Sequence, residues 1–499
     1  MHAPRARATP DEPPAIPTNV IGMRLRGDWY AAGAVALVLS VFSGGYGYHR
    51  DELYFRMLPP DTGYVDQPPL TPFLARLTRD LIADQQWALR IPATVCVAAS
   101  VLVIAAITRE LGGSRRAQAL AAWGYGFAAA TLMIGHLLVT STVDLLLWPA
   151  LVWTVLRAMR SPRWWLVTGV LGGLSTYNRW LVVVLAAGLV LGLLLVGPRR
   201  VWRRPELWGG VGLALLVAAP NLVFQATHDW PQLAMGEALA DNNADEVRTQ
   251  VWLMLALLLG VPLLPIWVAG FVSLVRRPDW PEHRWLAVAF VVLVAFTWGS
   301  GAQVHYLMGL LPVMFAAGCV PVADWTVWHR GRTALVAGGV ALNAAVALVL
   351  ALPLVPVDAV GDTPIPDVSP LVGDTVGWPE YVAQVARAHE QAGGGDVPII
   401  TSNYGEVGAV DRFGADLPAP YSGQNELWYV ARPPDDADTI VMVGAQLASI
   451  ERHFTSCEVV ARLDSGEGVD NEEQGEPIAI CTGPLTPWRD LWAEFRHLD

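Results

Sequence analysis

The feature that most constrains this chain is a series of apolar runs, each about as long as a helix that crosses a bilayer. A transmembrane helix needs roughly 20 apolar residues, and 53% of the 499 residues are hydrophobic while only 16% are charged. Such runs lie near residues 29–47, 87–107, 117–135, 143–159, 207–227, 250–275, 285–302, 306–325 and 333–355. The stretch 164–197 is too long for one span and is interrupted at Tyr177-Asn178-Arg179, so it predicts two more. We therefore expect a polytopic α-helical membrane protein with about 11 transmembrane helices.

The arginines between these runs predict how the chain is oriented. Arg24 and Arg26 precede the first run, and further groups follow every second run. These groups are Arg109, Arg115 and Arg116; Arg157, Arg160 and Arg163; Arg199, Arg200, Arg203 and Arg204; Arg276, Arg277 and Arg284; and Arg330 and Arg332. With eleven spans all of them lie on one side, which the positive-inside rule makes the cytoplasm. Because residues 1–20 lack the features of a signal peptide, we expect the first run to remain as an anchor in the plasma membrane, with the N-terminus cytoplasmic.

The charge of the chain changes sign near residue 357. Residues 1–357 carry 26 Arg and 20 acidic residues, whereas residues 358–499 carry 7 Arg and 25 acidic residues. We therefore expect a cytoplasmic tail at 1–27, a transmembrane domain at 28–356 with a first outer loop at 48–86, and an extracytoplasmic soluble domain at 357–499. The acidic last part argues against nucleic acid as a partner.

The last part has the pattern of a small α/β domain. Buried strands are predicted at 397–401, 439–443 and 477–480. Helices are predicted at 378–391 and 447–454.

The four cysteines divide between the two parts of the chain. Cys457 and Cys481 lie in the acidic part and are candidates for a disulfide if that part is outside the cytoplasm. Cys96 and Cys319 lie in apolar runs, where packing is their expected role.

The outer loop after the first run concentrates charge in a short stretch. It contains His49, Arg50, Asp51, Glu52, Arg56, Asp61 and Asp66. Adjacent residues on a helix point about 100° apart, so Asp51 and Glu52 cannot act as a close pair of carboxylates. One can serve as a general base on a hydroxyl while the other braces its neighbours. The alternative is that these charges only contact solvent and lipid headgroups.

Further polar residues fall at the same predicted depth. Pro68 and Pro69 make the segment Asp66–Leu70 rigid, either for a site or simply to turn the chain. Asp144 lies within an apolar run and needs a partner or a water cavity, although a hydrogen bond between spans would also satisfy it. Arg179 suits a phosphate in a site of low dielectric constant, or it extends to headgroups.

Three other outer segments complete this survey. His305 and Tyr306 can bind a phosphate or a sugar, or can anchor the chain at the interface. The polar stretch 228–249 is predicted to be a mobile lid. No motif for a nucleotide appears, and no set of metal ligands with useful spacing. The residues therefore indicate no cofactor, although they do not conflict with a divalent metal.

These residues, in this order, resemble the GT-C glycosyltransferases. The segments His49-Arg-Asp-Glu-Leu-Tyr54 and Asp66-Gln-Pro-Pro-Leu70 are most similar to family 39, the dolichyl-phosphate-mannose-protein mannosyltransferase-like proteins. Asp144, the Tyr-Asn178-Arg179 turn and the His305-Tyr306 pair also look like that family. The resemblance covers roughly residues 25–325, and the segment 403–414 looks like the extracytoplasmic domain of actinobacterial members.

The resemblance implies an inverting enzyme that takes a sugar from a polyprenyl-phosphate donor in the membrane. Asp51 would be the catalytic base and Glu52 would support it. The donor phosphate and sugar would be held by residues from the outer loops, namely Arg50, Arg56, Asp66, Gln67, Asp144, Asn178, Arg179, His305 and Tyr306. Related aminoarabinose transferases have a Lys where this chain has Gln67, so Arg179, Arg50 or Arg56 must supply the positive charge. This departure leaves the sugar open, as well as an acceptor that is protein, lipid or polysaccharide.

Two other classes of protein compete with this interpretation. A polytopic transporter or lipid flippase would have the same apolar pattern, but we find neither an inverted repeat nor a matched pair of spans broken near the midplane. A sensor with a ligand-binding soluble domain leaves eleven spans and the Asp51–Glu52 loop without a role.

Overall fold

The structure is a computed structural model that describes residues 27–498, without the side chains of 241–243 and 246. The predicted cytoplasmic tail, with Arg24 and Arg26, lies outside the described residues apart from Gly27. The first part is helical throughout. Its helices are α1 Gly27–Phe42, α2 Arg50–Met57, α3 Leu70–Leu81, α4 Gln86–Leu89, α5 Ile91–Glu110, α6 Arg115–Gly126, α7 Ala129–Gly135, α8 Thr140–Arg160, α9 Trp164–Ser175, α10 Val182–Val196, α11 Pro205–Thr227, α12 Pro231–Leu257, α13 Leu264–Arg276, α14 Trp285–Ser300, α15 Leu311–Thr326 and α16 Arg330–Ala351.

These helices occupy the eleven predicted positions, but they differ in length. Five are long and apolar enough to cross a bilayer alone: Gln86–Glu110, Thr140–Arg160, Pro205–Thr227, Pro281–Ser300 and Arg330–Ala351. Two more positions hold bent pairs, α6 with α7 at 55° and the end of α12 with α13 at 71°. The remaining four, α1, α9, α10 and α15, are apolar helices of 10–17 residues. The described chain is thus a polytopic helical membrane protein with five such helices, or seven if each bent pair is one span.

The arginine-rich segments meet at one end of this bundle. Glu110 at the end of α5 accepts hydrogen bonds from Arg157 and Arg160 at the end of α8, at 3.1 and 2.9 Å. Arg200 pairs with Glu282 at 2.6 Å, across the loops that follow α10 and α13. These contacts join loops that the sequence places on the same side of the membrane.

Glycines let some of these helices approach closely. A Cβ on Gly169 of α9 would lie 2.0 Å from the Gly210 carbonyl oxygen of α11. A Cβ on Gly270 of α13 would lie 1.9 Å from the Met314 carbonyl oxygen of α15. Neither distance is compatible with a side chain, so small residues set the packing of both pairs, as they commonly do between membrane helices.

Most of the predicted lid at 228–249 is helical in the structure, so the prediction that this segment is a loop is wrong. Residues 231–257 form one continuous helix, α12, which begins with Pro231 at its first position. Its first half is polar and its second half apolar, and the helical hydrogen bonds carry across that change. Polar residues can cover the exposed surface of a helix, so a polar composition does not by itself indicate a loop.

The last part contains a five-stranded sheet with helices around it. Its elements are α17 Val357–Val360, α18 Ile365–Val368, α19 Pro370–Gly373, α20 Trp378–Gln391, β1 Ile399–Thr401, α21 Tyr404–Phe413, β2 Tyr421–Ser422, α22 Leu427–Val430, β3 Thr439–Val443, α23 Leu447–Ile450, β4 Phe454–Arg462, β5 Pro477–Pro484 and α24 Trp488–Leu491. The strand order is β2-β1-β3-β5-β4, with β1 parallel to both of its neighbours and β5 antiparallel to both of its own.

Most of the predicted elements of this domain occur in the structure. The helix predicted at 447–454 is shorter than expected, because α23 ends at Ile450 and β4 begins at Phe454 after a single 3₁₀ turn. Strands β2 and β4 were not predicted. Cys457 and Cys481 are directly opposed on β4 and β5 and form a disulfide.

The outer loop and the last part of the chain share one hydrophobic core. Leu53, Tyr54 and Phe55 of α2 are buried together with Trp378 of α20 and Val407 of α21. The Trp378 indole N–H donates to the Tyr48 carbonyl oxygen at 3.0 Å. The C-terminal elements therefore pack directly on the charged segment that the sequence singled out.

Candidate active site

Helix α2 begins immediately before the two acidic residues, and its first turn fixes both of them. The Glu52 carboxylate accepts a hydrogen bond from the His49 backbone N–H at 2.9 Å, while His49 Nδ1 accepts from the Asp51 N–H at 3.2 Å. Side chains that cap a helix in this way satisfy donors that the first turn leaves free. The backbone of the Asp51–Glu52 pair is consequently held at the helix start.

Glu52 is fully buried and its carboxylate is fully engaged. The Arg90 guanidinium donates to both of its oxygens at 2.9 Å, and the Leu138 N–H donates at 3.0 Å. Arg90 itself is 1% exposed and also donates to the carbonyl oxygens of Ser43 and Gly47. Glu52 therefore holds the start of α2 against α5 and the α7–α8 connection and does not face a substrate.

Asp51 lies beside this anchor with its side chain 25% exposed. The Tyr404 hydroxyl donates to Asp51 Oδ1 at 3.0 Å, and His49 Nδ1 lies 4.0 Å from the same oxygen. Within the described residues no hydrogen bond involves Asp51 Oδ2. One carboxylate oxygen is thus oriented by the protein while the other remains available to a ligand.

Arg50 and Arg56, both predicted to bind the donor, form ion pairs with carboxylates in the structure. Arg50 forms an ion pair with Glu472 and lies 3.9 Å from Glu473. Arg56 donates to both oxygens of Asp84 at 2.6 and 2.8 Å and also pairs with Asp411. In this structure the two guanidinium groups connect the outer loop to the C-terminal domain.

At the start of the proline segment Gln67 is buried and Asp66 is partly buried. Burial raises the pKa of Asp66 to about 7, with a further contribution from the negative charge of Glu426. Asp66 Oδ1 and Gln67 Nε2 have no hydrogen-bond partner among residues 27–498. Unpartnered buried polar atoms are rare in folded proteins, and these two lie where a polar ligand or water would satisfy them.

A second cluster forms around the Tyr177-Asn178-Arg179 turn. The Asn178 amide donates to Asp144 Oδ1 at 2.7 Å and to the Thr140 carbonyl oxygen at 2.9 Å. Its side-chain oxygen accepts from the Thr71 hydroxyl at 2.8 Å. Asn178 therefore links the start of α8 to the start of α3.

Arg179 projects into a cavity at this point. Its Nε is 3.8 Å from Asp144 Oδ2, and its guanidinium carbon lies 4.9 Å from the centre of the Tyr306 ring. His305 Nε2 is 2.9 Å from the Ser141 hydroxyl and 3.5 Å from Arg179. The cavity is lined by Ile134, Ser141, Asp144, Leu145, Trp148, Arg179, His305, Tyr306, Met308 and Gly309. A cation therefore lies in a mostly apolar wall, and among the described residues Asp144 is the one carboxylate within 4.0 Å of it.

The proline segment connects the two clusters. The Leu70 N–H, directly after Pro69, donates to the Tyr177 carbonyl oxygen at 2.8 Å. Together with the contact between Thr71 and Asn178, this bond joins the rigid segment to the turn. At its other end Asp66 is close enough to Asp51 for their charges to interact.

The structure thus sorts the predicted residues into three groups. Asp144, Asn178, Arg179, His305 and Tyr306 come together around one cavity. Asp51, Asp66 and Gln67 lie in the segment 48–86, which the proline segment joins to that cavity. Glu52, Arg50 and Arg56 are engaged in ion pairs.

Two residues of the site were not predicted from the sequence. Arg90 could have been found in the same way as Arg179, because it too is an arginine at the end of an apolar run on the side with few arginines. Tyr404 lies in a segment noted only for its resemblance, and nothing local to it indicates a contact 353 residues away. Within the described part of the chain, no group of three or more His, Cys, Asp or Glu side chains could hold a metal ion.

Comparisons with known proteins show which sequences and folds this chain resembles. The family model for dolichyl-phosphate-mannose-protein mannosyltransferases matches residues 66–224. ArnT from Cupriavidus metallidurans, in its structure bound to undecaprenyl phosphate, is 15% identical with a TM-score of 0.57, and the match covers 91% of this chain and 97% of that one. Arabinofuranosyltransferase AftD from Mycobacteria is 15% identical with a TM-score of 0.51, over 91% of this chain and 40% of that one. A comparison with curated proteins gave no significant match.

The family match begins at Asp66 and includes Asp144 and Arg179, so it covers the proline segment and the turn that the structure joins. The structural matches extend over nine-tenths of the chain. The chain has the fold of the GT-C superfamily of glycosyltransferases.

Proposed function

We propose that this protein is a glycosyltransferase of the outer face of the plasma membrane. It transfers a sugar, with inversion, from a polyprenyl-phosphate donor to a hydroxyl of an extracytoplasmic acceptor. The observation that carries the proposal is the cavity around Arg179, to which five polar residues from three separate segments converge. The proline segment connects that cavity to the candidate base Asp51.

Arg179 is the side chain best suited to the donor phosphate. Arg50 and Arg56 are paired with carboxylates of the C-terminal domain and the outer loop. In the described part of the chain, the one carboxylate paired with Arg179 is Asp144, at 3.8 Å, which is beyond hydrogen-bond distance. A guanidinium group in a site that excludes water binds phosphate oxygens strongly and in a defined geometry. Arg179 thus takes the role of the charge that is missing at Gln67.

We assign the general base that acts on the acceptor to Asp51. Its carboxylate removes the proton of the acceptor hydroxyl, and the oxygen attacks the anomeric carbon from the face opposite the phosphate. The bond between that carbon and the phosphate oxygen breaks, its electron pair stays on the phosphate, and polyprenyl phosphate leaves. Because phosphate is already a good leaving group, positioning and charge stabilisation dominate the catalysis. Attack from the opposite face inverts the anomeric configuration.

The fold supports a transferase over a transporter. Both structures compared above have a fold similar to that of this chain. AftD is an arabinofuranosyltransferase, and the ArnT structure holds undecaprenyl phosphate. The charged residues of the candidate site, among them Arg50, Asp51 and Arg56, lie at the end of the bundle next to the C-terminal domain. A transport pathway would instead place its polar residues near the midplane.

The test is donor consumption by the purified full-length protein in detergent. Radiolabelled decaprenyl-phosphate mannose and decaprenyl-phosphate arabinose are offered separately, with a crude cell-envelope extract as acceptor. We expect one donor to be consumed and its label to appear in the acceptor fraction, with the anomeric configuration opposite to that of the donor. Folded protein that consumes neither donor would contradict the proposal and redirect attention to lipid flux.

A further inference from the structure

Helix α21 of the C-terminal domain presents its first residue, Tyr404, to the catalytic helix. The helix start is capped on both sides: the Asn403 side chain accepts from the Glu406 N–H at 2.9 Å, and Glu406 accepts from the Asn403 N–H at 3.1 Å. The Tyr404 N–H donates to the Gln424 side chain at 2.7 Å. A capped helix start with its donors satisfied holds Tyr404 in one place.

The packing between α21 and α2 allows little adjustment. A Cβ on Gly408 would lie 2.6 Å from Leu53 Cβ, and a Cβ on Gly405 would lie 2.9 Å from Arg50 Cβ. Real Cβ atoms do not approach neighbours so closely, so the two helices are in backbone contact at these glycines. These contacts therefore set how the two helices are aligned against each other.

The side chain of Tyr404 is also held in place by contacts of its ring. Its centre lies 4.9 Å from the centre of the Tyr54 ring and 4.9 Å from the Arg50 guanidinium carbon. Contacts of this kind, between aromatic rings or between a ring and a cation, favour one orientation of the ring. Arg50 is held in turn by Glu472 and Glu473. The hydroxyl that reaches Asp51 thus has a rigid support.

We propose that Tyr404 is a positioning residue for Asp51, so that the C-terminal domain completes the active site. The inference rests on the proposed role of Asp51 and adds a function for the domain. The Tyr404 hydroxyl donates to Asp51 Oδ1 at 3.0 Å and turns Oδ2 toward the acceptor. A catalytic base has to be held close to its productive geometry, because a small misplacement costs much of the rate.

The variant Tyr404→Phe isolates this hydrogen bond. Phenylalanine keeps the ring that contacts Tyr54 and Arg50, and it loses only the hydroxyl. We expect kcat to fall roughly 10- to 100-fold while the KM for the polyprenyl donor and the binding of decaprenyl phosphate stay near the wild-type values. Rates are expressed per donor-binding site, measured by titration with decaprenyl phosphate, so that partly unfolded protein does not enter the comparison.

The matched control is Tyr429→Phe. Tyr429 is half-exposed, and its hydroxyl accepts from Arg496 at 2.6 Å, away from α2. This control is expected to retain wild-type kcat. A Tyr404→Phe protein with wild-type kcat would overturn the inference, as would a proportionate loss of kcat and donor binding.

The inference and the proposed function fail in different ways. If Asp51→Asn is inactive and Tyr404→Phe is fully active, the base assignment stands and Tyr404 has no positioning role. If Asp51→Asn is fully active, the base assignment fails, and the inference about Tyr404 fails with it.

Discussion

The Glu52 carboxylate receives two hydrogen bonds from the Arg90 guanidinium, each 2.9 Å long, and both residues are almost completely buried. Two parallel bonds of this type combine charge with a fixed mutual orientation. The pair ties the start of α2 to the residue that directly precedes α5. Asp51, one residue earlier, takes its position from this tie.

We predict that Glu52→Ala destabilises the protein by about 3–5 kcal/mol, because it leaves the Arg90 charge buried without its partner. Activity falls with stability, since the start of α2 loses its anchor. Thermal unfolding of the purified protein, alongside donor turnover, measures both effects.

The control for this prediction is Glu282→Ala, which breaks the exposed pair with Arg200. Exposed pairs contribute about 0–1 kcal/mol, so this variant should unfold close to the wild-type temperature. Equal destabilisation by the two substitutions would contradict the anchoring role of Glu52.

Arg179→Ala should weaken donor binding far more than it affects stability. The substitution removes a charged hydrogen-bond donor to phosphate, worth about 1.5–3 kcal/mol, which corresponds to roughly a 10- to 150-fold increase in the Kd for decaprenyl phosphate. Equilibrium binding of that lipid in detergent provides the measurement. Arg115→Ala, an exposed arginine at the opposite end of the bundle, serves as the control. Unchanged binding by the Arg179 variant would remove Arg179 as the phosphate ligand.

The contribution of Glu406 and Glu473 to stability should decrease as pH rises from about 5 to 9. Burial raises the pKa of Glu406 from 4.5 to about 8, with a smaller contribution from the negative charge of Glu473. Burial also raises the pKa of Glu473 from 4.5 to about 7. In that range the folded protein keeps protons that the unfolded chain has released, so the free energy of unfolding falls with rising pH. Melting temperatures across this range, for wild type and Glu406→Gln, measure the slope.

A neutral side chain at position 406 removes one of these two contributions, so Glu406→Gln should show a shallower slope than wild type. Glu390→Gln, at an exposed glutamate of the same domain, should keep the wild-type slope. If the melting temperature of Glu406→Gln changes with pH in the same way as that of wild type, the argument is contradicted.

Removal of the disulfide between β4 and β5 should destabilise the C-terminal domain. Cys457 and Cys481 are 24 residues apart, and a bond that closes a loop of this size is worth about 2–4 kcal/mol. The double variant Cys457→Ser/Cys481→Ser is therefore expected to melt at a lower temperature. Alkylation of the denatured wild-type protein without reductant should modify only Cys96 and Cys319. Modification of all four cysteines would show that the bond does not form in the cell.

The sequence predicted the helical elements well where one periodicity continued through a segment. Helix α20 has the predicted bounds 378–391, and the apolar runs contain the membrane helices. The prediction failed where polar composition was taken to indicate a loop, as in the first half of α12. The bends at 55° and 71° were also not predicted, because an apolar run looks the same whether the helix is straight or broken.

The candidate site was only partly accessible from the sequence. Charge or polarity at an unusual depth indicated Asp144, Arg179 and His305, and the structure brings them to one cavity. The partners of Arg50 and the hydroxyl that orients Asp51 come from residues more than 350 positions away. Contacts of that range follow from how two domains pack, and no local pattern encodes them.

The central claim is tested most directly by donor consumption with wild type beside Asp51→Asn, using the radiolabelled decaprenyl-phosphate donor that wild type accepts. Asparagine has nearly the same shape but cannot take a proton, so we predict correct insertion, wild-type binding of decaprenyl phosphate and a loss of transfer of about 10²- to 10⁴-fold. Asp61→Asn, an exposed carboxylate of the same loop, is the control and should transfer normally. Wild-type transfer by Asp51→Asn would contradict the account, because the proton of the acceptor would then need a different base.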